Sequence, residues 1–367
     1  MTPALGTLAI EEVTTTQGLA DLRAEWDRLY SAGGLDNPFV THRWMSVWWK
    51  HFGAGGRLLV LLVKDGPEIV GIVPWMIRRL RPWAPLRRVQ FLGTGLSDRL
   101  DVLAPTRRAE QMARVLDHLQ RRRGAWDMVD LHELPEESET VAVLQDLLRA
   151  RAWGHRDEPA SRCPYLPIRE DWTTFYTRAK DAETRRANRR KLRRLEKDGA
   201  VAIRRRMDVG GEAPVLEQLR QMPHRDTYRG ARRVSLFDGD ARGRFFEDMA
   251  ASLAETGELD LWTVELAGRP IAYRFGWRTA QKHYDYFADY DPAHSQSSPG
   301  TLLLLRMMED CFEAGLREFD FLRGDEPYKL EWTSERRQQR RIRFFARSLR
   351  GGLLRLATRG RQSPDGD

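Results

Sequence analysis

The chain has 367 residues, of which 41% are hydrophobic and 31% charged, with a net charge of +8. That composition belongs to a folded chain rather than a disordered one, and the length suggests two domains of about 150 residues each plus a tail. No apolar run reaches about 18 residues, and the first residues lack a basic start followed by a long apolar stretch, which argues against a spanning helix and a secretory signal. Cys163 and Cys311 stand far apart, in neither a CxxC nor a Cys/His cluster. No metal site and no disulfide framework is therefore expected, and a reduced, cytoplasmic location is. Arg and Lys crowd residues 178–206 and 336–361. Such runs attract phosphate groups, nucleic acid or an anionic membrane surface, or serve as solvated helix faces.

A strand is expected over Leu8–Val13, followed by a helix with Leu22, Trp26 and Leu29 at helical spacing and a stop at Gly33-Gly34. Thr41 reads as the N-cap of the helix HRWMSVWWKHF, which sets Trp44, Val47 and Trp48 on one side. RLLVLLVKDG and EIVGIVPWMIRRL form a hairpin around Asp65-Gly66, and RRVQFLG and RLDVLA are further strands. A helix at 107–122, a strand at WDMVDLHE, a helix at 138–151 and a strand near 153–158 complete the first half.

The second half repeats this order. A helix near 171–179 precedes the basic helix DAETRRANRRKLRRLEKDG, which Gly199 stops. Strand VAIRRRM and helices near 213–222 and 240–256 lead to a hairpin around Ala267-Gly268, then to the strand QKHYDYFADYD. A strong helix follows in SSPGTLLLLRMMEDCFEAG, then the strand and loop REFDFLRGDEPYK and a last strand RRIRFFARS. The recurrence predicts a mixed α/β (α+β) protein of two related lobes, 1–165 and 166–346, each a mostly antiparallel sheet with flanking helices, and a basic flexible tail at 347–367. The first part of that tail is basic and apolar, suited to peripheral contact with anionic lipid.

Ser297-Ser298-Pro299-Gly300-Thr301 opens the long apolar helix of the second half. Proline suits a first helical turn, whose free N–H groups and dipole favour an anion such as a pyrophosphate. The same residues also read as a plain serine cap with proline behind it.

Several motifs resemble a known family in their order and spacing. They are Arg185–Arg190 leading to Leu195–Gly199, Gly268–Ala272, Tyr290-Asp291, Ser298–Gly300 and Asp320–Trp332. With Asn37-Pro38-Phe39, Trp44, Trp48 and Gly71–Pro74, they resemble the acetyltransferase domain of CelD/BcsL-type polysaccharide-biosynthesis proteins. That group is a GNAT relative, similar to the two-lobed FemABX peptidyltransferases. The resemblance implies two GNAT-like lobes and acyl transfer from acetyl-CoA or another acyl-CoA to an amine or hydroxyl of a sugar or peptide acceptor. It implies that the pantetheine-pyrophosphate arm reaches Ser298, Gly300 and Thr301. This chain departs from the GNAT pattern in lacking the glycine-rich Arg/Gln-x-x-Gly-x-Gly/Ala loop, which keeps acyl-carrier and aminoacyl donors open.

Acyl transfer needs a base for the nucleophile and donors for the leaving group and the carbonyl oxygen. Asp320 and Asp325 are candidate bases, Tyr328 a candidate acid and Lys329 a candidate phosphate or carbonyl partner; alternatively, Asp325 pairs with Lys329 and orders a loop. Tyr273, Tyr284, Tyr286 and Tyr290 line two adjacent strands. Tyr284 and Tyr286 share one face, as acceptor-cleft residues or as sheet packing, while Asp285 points the other way. His224, Arg225 and Tyr228 form a candidate acceptor loop. Two other readings stand beside acyl-CoA transfer. The arginines of 178–206 fit a FemABX-like, aminoacyl-tRNA-dependent transferase, and the missing glycine-rich loop fits a non-catalytic scaffold of a polysaccharide-synthesis complex. The location expected is cytoplasmic, with the tail able to meet the inner face of the membrane.

Overall fold

The computed structural model describes residues 8–80, 86–209, 215–224, 227–228, 231–232 and 235–357. The chain gathers into two units, Met1–Ser161 with Arg337–Asp367, and Arg162–Arg336.

The first unit runs through β1 (Ala9–Val13), α1 (Thr16–Asp21), α2 (Arg23–Ala32), α3 (His42–Phe52), β2 (Gly56–Asp65), β3 (Glu68–Arg79), β4 (Arg87–Phe91), α4 (Arg108–Arg121), β5 (Met128–Pro135), α5 (Glu139–Ala150) and the first half of β6 (His155–Pro167). Its sheet places β1, β2, β3, β4 and β5 side by side. The described pairs are antiparallel except β4 with β5, which meet in parallel at Arg88↔Met128 and Val89↔Val129. Thr41 caps α3 by accepting from the Trp44 N–H, as its position in the sequence predicts. The buried side of α3 carries His42, Trp44, Met45 and Trp48, so Met45 takes the place expected for Val47. The helix expected around Leu22–Leu29 divides at Leu22 into α1 and α2. The segment RLDVLA makes a single bridge, Leu103 to Ile72, instead of a strand.

The second unit takes up the rest of β6, then α6 (Trp172–Ala179), α7 (Ala182–Asp198), β7 (Val201–Arg206), α8 (Val215–Gln221), the short β8 (Thr227–Tyr228) and β9 (Ala231–Arg232), α9 (Ala241–Glu255), β10 (Leu259–Leu266), β11 (Arg269–Arg278), β12 (Lys282–Tyr290), α10 (Pro299–Glu313), β13 (Glu318–Asp320) and α11 (Pro327–Leu330). Its sheet order is β6-β13-β12-β11-β10-β7. Again one pair is parallel, β12 with β13, and the other pairs are antiparallel. Asp171, Asp181 and Asp240 cap α6, α7 and α9 by accepting backbone N–H groups. Ala267 and Gly268 both adopt positive φ, 48° and 79°, the geometry of a tight hairpin turn between β10 and β11.

The chain ends in β14 (Arg336–Phe345) and α12 (Leu349–Ala357). β14 pairs antiparallel with β5 from Gln339↔Pro135 to Phe345↔Met128. This ladder groups residues 337–346 with the first unit, whereas the sequence order had attached the last strand to the second lobe. The first unit's boundary likewise falls at 161 within β6 rather than at 165. Residues 349–357 of the expected flexible tail form a helix; 358–367 lie outside the described residues. No helix among the described residues is long and apolar enough to cross a membrane.

Each face of the second sheet has its own core. Leu302, Leu303, Met307, Met308 and Cys311 of α10 pack on Trp262, Val264, Ala272 and Phe319. On the other face Phe246 of α9 meets Phe275 and Tyr286. Strand alternation assigns residues to these faces until the register slips between Phe275 and Gly276. At Gly276 an added Cβ would stand 2.1 Å from the Tyr284 carbonyl oxygen, so this close approach requires glycine.

Candidate functional site

The parallel ladder of β12 and β13 is short. It pairs Lys282↔Glu318, His283↔Phe319 and Tyr284↔Asp320, and there β13 ends. β12 runs on to Tyr290, and α10 links the two strands. The extension of β12 past its partner thus leads to the start of α10. That helix begins after Ser298, which holds φ 46° and ψ 56°, with no side-chain cap bond and Pro299 at its first turn. Of the three predicted donor-site residues, Ser298 sets the left-handed entry, and Thr301 donates its N–H to the Ser298 carbonyl at 2.9 Å. Gly300 leaves room: an added Cβ would meet only the Tyr290 ring, at 3.8 Å. A helix dipole favours an anion at such a start, where Pro299 has no N–H to give and Gly300 follows it. α7 lies against this region, with Arg194 donating to Gln296 at 3.3 Å. Arg186, Arg189, Arg190, Arg193 and Arg194, spaced at i, i+3, i+4, i+7 and i+8, form an exposed stripe along α7.

Beyond β13 the chain is held in a tight loop. Asp320 is fully buried and accepts from the Leu322 N–H at 2.9 Å, fixing Leu322 at φ 56°. Phe321 and Gly324 donate their N–H groups to the carbonyls of Pro164 and Arg162. The loop delivers α11, and with it Tyr328 and Lys329. Lys329 is buried, donates to the Arg323 carbonyl at 2.7 Å and pairs with Glu326 at 2.9 Å. Burial works against its charge, but Tyr328 and Glu326 outweigh it and raise its pKa. Asp325 lies 3.5 Å from Arg162, and its Oδ1 is buried with no hydrogen-bond partner among the described residues. The expected Asp325–Lys329 pair is therefore replaced by Glu326–Lys329 and Arg162–Asp325.

Under Tyr328 lies a pair that sequence reasoning missed. Arg274 of β11 and Asp285 of β12 are buried and joined by a hydrogen-bonded ion pair. The Arg274 guanidinium carbon is 5.5 Å from the centre of the Tyr328 ring. Burial is the largest influence on Tyr328 and raises its pKa, with Asp285 and Glu326 adding to the rise against Arg274 and Lys329. The phenol stays protonated through neutral pH and can donate. Asp285 was placed by alternation on the face opposite Tyr284, which is the face it occupies, but its pairing depends on where the register slips.

Tyr284 and Tyr286 belong to the other face. Tyr284 is fully buried and stacks on Trp277 at 6.0 Å; Tyr286 packs on Phe246 and Trp277 at 5.1 and 5.4 Å. The α9 core takes them up, so the reading of the two tyrosines as a cleft lining gives way to sheet packing. Tyr273 is also buried, its hydroxyl accepting from the Leu236 N–H at 3.3 Å. Only Tyr290 stands by the start of α10. His224 is half-buried; Arg225 and the side chain of Tyr228 lie outside the described residues.

A second buried network sits toward the other end of α10. Asp260 accepts from Arg205 at 2.6 Å and from Trp262 Nε1 at 2.9 Å, and pairs with His283 at 2.7 Å and Arg278 at 3.1 Å. Arg278 also donates to Asp310 at 2.6 Å. Burial opposes the Asp260 charge, yet His283, Arg278 and Arg205 hold its carboxyl well below the usual range. Burial pushes the neighbouring Cys311 thiol far up, which keeps it unreactive. Two open surface hollows, beside Arg107–Glu110 and beside Trp49–Lys50, are both lined by residues of the first unit. No group of three or more His, Cys, Asp or Glu among the described residues is placed to hold a metal ion.

Residues 182–330 match the model of the Acetyltransferase (GNAT) domain family. The matched stretch lies within the second unit. Among solved structures, that of FemX aligns over 95% of this chain and 99% of its own, with a TM-score of 0.61 and 13% identity. The structure of L-PGS from Bacillus licheniformis aligns over 91% of this chain and 95% of its own (TM-score 0.53, 12% identity). The C-terminal domain of a putative lysylphosphatidylglycerol synthetase from Agrobacterium fabrum covers 93% and 96% (TM-score 0.51, 10% identity). At these identities the likeness is one of fold. No curated protein matches in sequence.

Proposed function

We propose that this chain moves an acyl group from a CoA-like thioester to an amine or hydroxyl acceptor of the sugar or peptide class, with the chemistry in the second unit. The observation that carries the reading is the pairing of two features. β12 outruns β13 toward the uncapped start of α10, and the loop after β13 brings a protonated, buried phenol over an Arg–Asp pair. The donor's phosphates meet the first turn of α10 near Ser298–Thr301, and its pantetheine arm follows the extension of β12. Tyr328 gives its proton to the leaving thiolate. Asp325, whose Oδ1 has no hydrogen-bond partner among the described residues, takes the proton of the attacking amine or hydroxyl. Arg274 and Asp285 position the phenol. Asp320 and Lys329 hold the loop that carries both acid and base.

An aminoacyl-tRNA donor is the second reading, favoured by the exposed arginine stripe on α7. Titration of the full chain with acetyl-CoA, longer acyl-CoAs and RNA separates the two, together with free-thiol release in the presence of amino-sugar and peptide-amine acceptors. Saturable acyl-CoA binding with acceptor-dependent thiol release supports the first reading. RNA binding without acyl-CoA binding overturns it in favour of the second, and binding of neither leaves a non-catalytic scaffold.

A further inference from the structure

The last described helix has two unlike faces. α12 is held to the first unit by Leu354, which is buried against Met128 and Phe345, and by Gly351, where an added Cβ would stand 2.1 Å from the Ala346 carbonyl oxygen. Turned directly away are Leu349, Leu353 and Leu356, with 90%, 68% and 58% of their surfaces exposed. They recur at i, i+4 and i+7 and so form one apolar stripe. Among the described residues the only other large hydrophobic side chain so exposed is Met207. At 3.6 residues per turn, Arg350 stands beside the stripe and is exposed, whereas Arg355 lies farther round the helix with its guanidinium against Gly154. Arg347, Arg359 and Arg361 continue the charge, and no Asp or Glu falls between 347 and 361.

We propose that α12 is an interfacial helix that rests the first unit on an anionic lipid bilayer, its leucines entering the acyl boundary and Arg350 meeting the headgroup phosphates. Three leucines in a row beside an exposed cation, in a segment free of acidic residues, match the layered chemistry of a bilayer surface, apolar beneath and anionic above. A second copy of the chain fits less well. Nine residues span only about 13 Å, and stripes of three leucines bury far less than the roughly 1,000 Å² that a stable interface needs. The arginines of two copies would also repel. The proposal is independent of the donor site, because every residue it uses lies in the first unit.

The test is co-sedimentation of the full chain with vesicles of phosphatidylglycerol and phosphatidylcholine, and with phosphatidylcholine alone. The wild-type chain is expected to sediment with the anionic vesicles and far less with the neutral ones. The triple variant Leu349→Ser, Leu353→Ser, Leu356→Ser should lose at least about tenfold in vesicle affinity with an unchanged melting temperature, since these side chains touch water in the folded chain. Should the triple variant fail to fold, Arg350→Glu serves instead and must lower anionic-vesicle binding several-fold. A wild-type chain that stays in the supernatant overturns the proposal. So does a folded triple variant that binds like wild type, which would assign binding to charge elsewhere. A leucine-dependent dimer in solution with vesicle binding untouched assigns the stripe to a second copy and equally overturns it.

Discussion

α4 and α10 occupy the same place in the two units. Each links a parallel pair, β4 to β5 and β12 to β13. Each also enters through a left-handed residue without a side-chain cap, Arg107 at φ 50° and Ser298 at φ 46°. What surrounds the two helix starts differs. In the first unit Arg107 reaches across to Asp65 at 2.6 Å and Glu110 at 2.8 Å, placing its own charges at the helix start. The segment after β4 folds back as a buried loop: Ser97, fully buried, accepts from Trp44 Nε1, and Leu100 donates its N–H to the Glu133 carbonyl. In the second unit β12 runs straight on to Tyr290, and the helix opens with Pro299 and Gly300. One plan thus yields a self-filled version and a version whose helix start is lined by small residues. The acetyltransferase family match falls on the second.

The two units also share a buried carboxylate among cations, and here the comparison can be broken most forcefully. Asp130 accepts twice from Arg341 at 2.8 Å, with His132 at 3.2 Å and Arg88 at 3.7 Å; Asp260 has His283, Arg278 and Arg205. Asp260→Asn and Asp130→Asn should each cost about 3–5 kcal/mol, because buried cations lose their counter-charge, as measured by urea denaturation. The folded-state pKa of both carboxyls is depressed. Their stabilisation is therefore complete above the unfolded value of about 4 and is lost as pH falls through the lower folded value. Wild type should lose stability with acid below about pH 4 more steeply than either variant. A cheap substitution in one unit alone would show that the networks are not equivalent.

Tyr328→Phe is the next largest effect. It should lower acyl-transfer turnover by about 10²–10³, as expected for a lost transition-state donor, while the melting temperature stays near wild type. Undiminished turnover would remove Tyr328 from the chemistry. Lys329→Ala, by contrast, should cost stability, about 2–3 kcal/mol, since it strips the ammonium from Glu326 and from the Arg323 carbonyl in a buried loop. An exposed pair would cost only about 0–1 kcal/mol, so thermal unfolding distinguishes the two. The smallest effect tests the helix starts directly. Gly300→Glu sets a carboxylate against the donor's phosphates and should weaken acyl-CoA binding about five- to tenfold by calorimetry, roughly 1 kcal/mol, without unfolding the chain. Ala109→Glu, at the matching position of α4, should leave acyl-CoA affinity unchanged. Equal losses would mean that both units bind donor.

Much of the architecture could be read from local chemistry. Thr41 capped its helix where the sequence placed it, Ala267-Gly268 made its hairpin turn, and the recurring order of helices, hairpin, strand and helix gave two related halves. The α10 start was visible because proline and glycine before an apolar run have few other uses. RLDVLA was misread as a strand because apolar alternation records burial, and here a buried loop supplied it. Asp325 was the wrong partner for Lys329 because nothing in the Gly-Asp-Glu-Pro context tells that the loop, pinned inward by Asp320, turns the ammonium to Glu326.

By itself, the sequence determined most of the elements, their order and which side chains alternate together, since these depend on neighbours a few residues away. Only the tertiary structure decided which face of β12 meets α9 and which meets Tyr328, that Arg274 finds Asp285, and that β14 joins β5. Each of those depends on strand register, and in β11 and β12 register turns on one slip at Gly276, a close backbone approach between residues that the sequence holds several positions apart.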